Sequence, residues 1–373
     1  MLKLANFIVK HKKLIIILYI ILSLVAFLGN RLVEINYDLS LYLPKDLNSI
    51  EGKNILEKEF GIAGTAYVLI ENQNLNEIES LVQEIENIGG VKEVIWLGTV
   101  EDIFKPEDFM DENIKKEFLS ENSNLIQIHF LNSNDSLETV EAVKEIQNIL
   151  GEKGVVGGPA AISKDLQYIT NKEVIYYSIV AFIIISIILF LSLESFIEPI
   201  LFFIAIGGAI ILNMGTNIVF DNISYTTHSV AAIIQLAVSM DYSIFLLHRY
   251  MEEKKNYKDN NQAMIGAIQK TFNSVLSSSM TTIAGFLALI VMKYTIGRDI
   301  GLVLAKGVLF SLISVLTLLP VLILLFDKSI EKYKHRVFLP SFNKLASFII
   351  KRKYILLIIG IIIALPSYLG QTK

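Results

Sequence analysis

The chain has 373 residues, 53% of them apolar, and a mean hydropathy of +0.53, which is too apolar for a water-soluble domain and marks an integral membrane protein. No cysteine is present, which excludes disulfides, thiolate metal sites and cysteine nucleophiles. The formal charge of −4 divides unevenly, with 12 Lys+Arg against 27 Asp+Glu (net −15) in residues 31–173 and 21 against 10 (net +11) elsewhere, so two environments are expected.

Crossing a bilayer takes about 20 apolar helical residues. The first such run, Leu14 to Gly29, follows Lys3, Lys10, Lys12 and Lys13. The sequence SLVAFLGNR at its end offers no A-x-A-like cleavage site, so the run reads as an uncleaved anchor. Residues 31–173 then read as a soluble α+β domain. GTAYVLIE is strand-like, LNEIESLVQEIENI has helical spacing, and VKEVIWLG is a second strand after a Gly-Gly break. The pattern recurs with NLIQIHFL as strand, SLETVEAVKEIQNIL as a helix opening on a serine cap, and GVVGG as a short strand. Two β-α-β units in succession suggest a ferredoxin-like, split β-α-β domain. Between them, EDIFKPEDFMDENIKKEF is acidic and reads as helix or loop with a solvated surface.

Six further apolar runs follow: Val174–Leu193, Ile197–Phe220, Thr226–Leu247, Ser274–Met292, Gly301–Phe326 and Tyr354–Gly370. Seven spans are therefore expected. An N-terminus inside places 17 Lys/Arg on the cytoplasmic side, against only Lys293 and Arg298 in the short outer loops, a positive-inside pattern. The expected organisation is a cytoplasmic N-terminus and first span (1–30), an extracytoplasmic domain (31–173), a bundle (174–326), a basic cytoplasmic linker (327–353) and a last span (354–373). The stretch Arg249 to Lys270 is expected as an interfacial helix or loop. Lys351, Arg352 and Lys353 can meet anionic headgroups.

The two ends repeat. Leu4 to Gly29 aligns without gaps, at an offset of 341, with Leu345 to Gly370, and 12 of 26 positions are identical, among them Phe7/Phe348, Lys10/Lys351, Lys12/Lys353 and Gly29/Gly370. The chain thus reads as one repeat plus the first helix of another. Internal repeats are a common transporter architecture.

One carboxylate interrupts the fourth run. Asp241 lies in AVSMDYSIFLLHRYMEE, roughly 9 Å above the inner boundary of the span at helical rise, and is expected to be buried. Burial at that depth costs about 2.5–3.5 kcal/mol on insertion scales. Its helical neighbours Ala237, Val238, Ile244 and Phe245 offer no hydrogen bond, so a partner must come from another helix or water. Two readings stand: a proton-relay carboxylate assisted by the Tyr242 hydroxyl, or an acid locked in a permanent ion pair. Candidate relay or packing partners are Ser278, Thr281 and Thr282 in the hydroxyl-rich SVLSSSMTT, and Lys306 near the start of the sixth span, which either snorkels outward or serves as a counter-ion. His228 and Gln235 share a face of the fourth span with Ser239 and Tyr242, and His228 is read as merely solvated or hydrogen-bonded.

Together MDYSIFLLHRYMEE, AMIGAIQKTFNSVLSSSMTTIAGFLAL, IGLVLAKGVLFSLISVLTLLPVLILLFD and GVVGGPAAISKDL resemble the MMPL-type branch, exporters of lipids and hydrophobes, within the resistance-nodulation-division (RND) superfamily. The resemblance covers essentially the whole chain. It implies an outer porter domain, a bundle like a sterol-sensing domain, and proton-driven export through Asp241 and Tyr242 across the cytoplasmic membrane. It also implies a second repeat whose own Asp-Tyr pair faces the first. A lipid-sensing or scaffold protein and a protein-export accessory subunit are the alternative readings. The expected partners are membrane lipids, a lipid or hydrophobic substrate and the second repeat. No cofactor, metal or nucleic acid is expected. With no P-loop, H-E-x-x-H or G-x-S-x-G segment, an enzyme is not expected.

Overall fold

The computed structural model of the chain describes residues 2–71, 74–103, 110–120, 122–336 and 343–371. A short amphipathic helix α1 (Leu2–Lys10) breaks at His11 into α2 (Lys12–Asn30), the first span. The chain then forms a two-residue strand β1 (Ile35–Asn36), a 3-10 turn (Leu39–Tyr42) and α3 (Asn48–Glu59).

The α+β domain follows as β2 (Gly64–Glu71), α4 (Leu75–Glu86), β3 (Val91–Ile95), a single turn α5 (Leu97–Val100), α6 (Glu112–Phe118), β4 (Leu119–Ser120), β5 (Ser123–Phe130), α7 (Leu137–Leu150) and β6 (Gly154–Gly157). All six expected elements are present, with boundaries that differ by at most three residues. Asn74 and Ser136 cap α4 and α7 by accepting from the N–H of Glu77 and Thr139, as such side chains do at a helix start. The main sheet runs β3-β5-β2-β6 with every pair antiparallel, and β4 is added on β5. Alternation decides the core. Ala66, Val68 and Ile70 and, across the pair, Ile126, Ile128 and Phe130 all point inward and are fully buried, against Ile78, Ile85, Val143 and Ile146 of α4 and α7. The opposite face leaves Tyr67 and Val155 exposed. Of the acidic insert, residues 104–109 lie outside the described residues.

From β6 the chain enters α8 (Pro159–Ser192), one continuous helix from the α+β domain into the apolar region, with Pro159 at its first position. There follow α9 (Ile197–Gly215), β7 (Ile223–Ser224), α10 (Tyr225–Lys254), α11 (Asn260–Ala288), α12 (Ile296–Lys332), α13 (Asn343–Lys351) and α14 (Lys353–Gln371). Six helices are long and apolar enough to cross a membrane, so this is a multi-pass membrane protein, with one span fewer among the described residues than expected. The seventh run is helical, but its apolar described stretch, Lys353–Ser367, is shorter than the other six. The stretch Arg249 to Lys270, expected as an interfacial helix or loop, is helical at both ends. It is the end of α10 and the start of α11, joined by a short turn, because Asp259 caps α11 and Asp327 accepts from Tyr250, Lys254 and Asn260 at 2.8 Å each.

Helices in lipid gain nothing from the hydrophobic effect on pairing, so close approach and internal hydrogen bonds hold them. A Cβ at Gly215 would lie 1.9 Å from the Ala26 carbonyl oxygen, and one at Gly29 would lie 2.9 Å from the Gly215 carbonyl oxygen. The backbones of α2 and α9 therefore touch. Inside the bundle, Gln235 of α10 accepts from Asn213 Nδ2 of α9 at 2.9 Å and donates to the Gly307 carbonyl (2.9 Å) and Ser311 Oγ (3.1 Å) of α12. The interior proline, Pro320, is buried in α12.

Candidate functional site

Helical rotation places α10's residues on two faces. Gln235, Ser239, Ser243, Leu246 and Tyr250 face inward and are buried. Asp241 is rotated away from them and stands exposed on the surface of the bundle. This corrects the expectation of a buried acid: the interior face of α10 is already occupied by the Gln235 network, so the carboxylate points outward. Tyr242, one step round the helix, is 6% exposed and packs in the core.

The carboxylate opens into a cavity of about 400 Å³ between two helices. From α10 it is lined by Val238, Asp241, Tyr242 and Phe245, and from α11 by Ser274, Val275, Ser278 and Thr282. The structure thus brings Ser278 and Thr282 to the Asp-Tyr pair, and adds Ser274. Thr281 is not among the lining residues; its hydroxyl donates back to the Ser277 carbonyl at 2.9 Å. Thr282 likewise donates to the Ser278 carbonyl at 3.1 Å, leaving its oxygen free to accept.

Lys306 is not a counter-ion to Asp241. Its ammonium donates to the Asn213 carbonyl (3.0 Å), Thr216 Oγ1 (3.0 Å) and Asn217 Oδ1 (2.6 Å), and lies 5.2 Å from the centre of the Phe220 ring. A cation at the C-terminal end of α9 meets the negative end of the helix dipole, so Lys306 is a packing partner of α9. His228 is half-buried and stands outside the cavity.

No ion pair or hydrogen bond to the Asp241 carboxylate exists among the described residues. The alternative of an acid locked permanently inside the repeat therefore has no partner there. The arrangement sets an unpaired carboxylate beside three hydroxyl-bearing residues of α11, Ser274, Ser278 and Thr282, with one side open.

Three polar groups escaped the sequence reading. Asn213 within an apolar run was a legible signal for the Gln235 network. Asp299, which accepts from the Ser224 N–H (2.8 Å) and the Thr227 hydroxyl (2.5 Å), and Asp327 sit at span ends, where an acid carries no distinguishing pattern.

The sequence profile of the MMPL family matches residues 63–346. The membrane protein YdgH of Bacillus subtilis is 22% identical over 346 residues, covering 88% of this chain and 38% of YdgH. The transport protein MmpL12 of Mycobacterium tuberculosis is 25% identical over 239 residues, 60% of this chain and 21% of MmpL12. The crystal structure of SecDF from Thermus thermophilus, a translocon-associated membrane protein, aligns over 88% of this chain and 38% of SecDF, with a TM-score of 0.46 and 14% identity. The chain spans well under half the length of the curated relatives it matches. It belongs to the MMPL family, a branch of the RND superfamily of membrane transporters.

Proposed function

We propose that the protein exports lipids or other hydrophobic compounds across the cytoplasmic membrane at the expense of the proton gradient, with Asp241 as proton acceptor and Tyr242 as its neighbouring hydroxyl. One observation carries the reading: an unpaired carboxylate at membrane depth opens outward into a hydroxyl-lined cavity. Protonation removes a charge from that surface and changes how α10 meets whatever packs there. The open side fits a second repeat, supplied by a continuation of the chain, a second copy or a partner chain.

In this reading the N-terminus is cytoplasmic and residues 31–173 lie outside, the linker being near 327–353 and the second repeat starting near 354. The distribution of 17 Lys/Arg against two supports that orientation. The sheet order β3-β5-β2-β6, with α4 and α7 on one face, supports a ferredoxin-like porter domain.

The test uses the protein expressed from its natural gene in cells lacking their own hydrophobe pumps, with Nile red accumulation measured with and without a protonophore. The expected result is protonophore-sensitive dye exclusion that Asp241→Asn reduces to the empty-vector level at equal membrane abundance. Undiminished exclusion by Asp241→Asn would overturn the relay.

A further inference from the structure

Between α2 and the outer domain the chain forms a strap across the outer ends of the bundle. β1 pairs in parallel with β7, matching Ile35 to Ile223 and Asn36 to Ser224, and the Ile223 N–H donates to the Glu34 carbonyl at 3.0 Å. Ser224 is also the cap of α10, its hydroxyl accepting from the Thr227 N–H at 3.0 Å. Asp299 of α12 binds the same turn by accepting from Ser224 and Thr227. One turn earlier, Thr295 donates twice to the Tyr42 carbonyl, from its N–H at 2.9 Å and its hydroxyl at 3.0 Å. The rings of Tyr37 and Tyr225 stack, 5.6 Å apart and 8° from parallel. Beyond the strap, Asp38 accepts from the Ser40 N–H (2.8 Å) and from Lys53 of α3 (2.5 Å).

Directly bonded groups therefore run from the first turn of α10, through the strap, to α3, which shares the wall of one cavity with Gly64 and Thr65 of β2 and Asn134. The same α10 carries Asp241 in one unbroken helix. Fourteen residues separate Thr227 from Asp241, about 21 Å at helical rise.

We propose that this strap is the coupling element of the transporter: it transmits displacement of α10, caused by protonation at Asp241, to α3 and the outer domain, and Asp299 is the positioning residue that clamps it to the helix. The proposal rests on the relay reading above. It differs from a passive linker, because a linker between α2 and the outer domain needs no bonds to the helix that carries the proton site. It also assigns work to Asp299 and Thr295, which the relay does not use.

The chain has no cysteine, so single thiols report cleanly. His248→Cys on α10 and Leu56→Cys on α3, both exposed, are labelled with bimane in the full-length protein in nanodiscs, and emission is followed between pH 5 and pH 8. The signal is the part of the pH response that Asp241→Asn removes.

The proposal predicts such a response at both positions, and in Asp299→Ala a response retained at His248→Cys but lost at Leu56→Cys. A disulfide between Ile35→Cys and Ile223→Cys, closed before labelling, should restore it in the Asp299→Ala background. Paired strand positions lie within disulfide reach. The rescue separates coupling from misfolding. A Leu56→Cys response unchanged by Asp299→Ala, or a lost response that the disulfide does not restore, overturns the coupling alone. Responses at both positions that survive Asp241→Asn overturn the relay and the coupling with it.

Discussion

Asp241 and Tyr242 are adjacent in sequence yet occupy opposite environments, and the helix period is the reason. Tyr242 falls next to the buried face of α10, while Asp241 falls on the free side. Their contributions should separate by mutation. Tyr242→Phe keeps the core packing and removes only the hydroxyl, so stability should fall by no more than about 1 kcal/mol while proton-driven export slows. A thermal-stability assay alongside vesicle transport checks both. A second residue-level prediction concerns Asp38. Its partial burial would raise the carboxyl, but Lys53 and Ser40 outweigh this and hold it below the usual carboxylate range. A depressed folded-state value contributes stability above the unfolded value, near 3.9, and that contribution is lost as pH falls through the folded value. Lys53→Met should therefore destabilise the protein by a constant amount between pH 5 and pH 8. The difference from the parent should shrink below about pH 4, as read from denaturation midpoints against pH.

Helix packing rests on a few contacts without slack. Gly215→Ala puts a methyl onto the Ala26 carbonyl oxygen, so α2 and α9 must separate, at a cost of about 1–3 kcal/mol by overpacking. Gln235→Leu leaves Asn213 Nδ2, the Gly307 carbonyl and Ser311 without their bonds in a buried setting, again about 1–3 kcal/mol. Both losses would appear in denaturant titrations of the purified protein. The existence of the spanning helices was legible because lipid demands long apolar runs; their true ends were not. α8 and α12 extend well past their apolar cores because caps and packing, not hydropathy, end a helix. In the α+β domain alternating residues marked the sheet nearly residue by residue. β1 and β7 were invisible, since two residues hold no period and only the partner strand defines them. The exposure of Asp241 was also illegible, because the sequence does not say which neighbours fill each face of α10.

At the scale of the whole molecule the repeat seen in sequence reappears in the helices. α1 and α13 have nine residues each, α2 and α14 nineteen, and both pairs break at equivalent positions, His11 and Arg352. Their settings differ. Ala5, Ile8 and Val9 of α1 are buried, whereas their counterparts in α13, Ala346, Ile349 and Ile350, are exposed. With the unpaired Asp241 on an open face, this asymmetry fits an assembly completed by a second repeat. The natural protein in nanodiscs should therefore show a native mass corresponding to two repeats, and an active monomer of 41.9 kDa would contradict it. The most direct measurement of the central claim is export of a fluorescent lipid in proteoliposomes under an imposed pH gradient, with internal pH recorded in parallel. The account predicts substrate movement and proton movement that rise together in the parent and are both abolished in Asp241→Asn; coupled movement of both in that variant would contradict it.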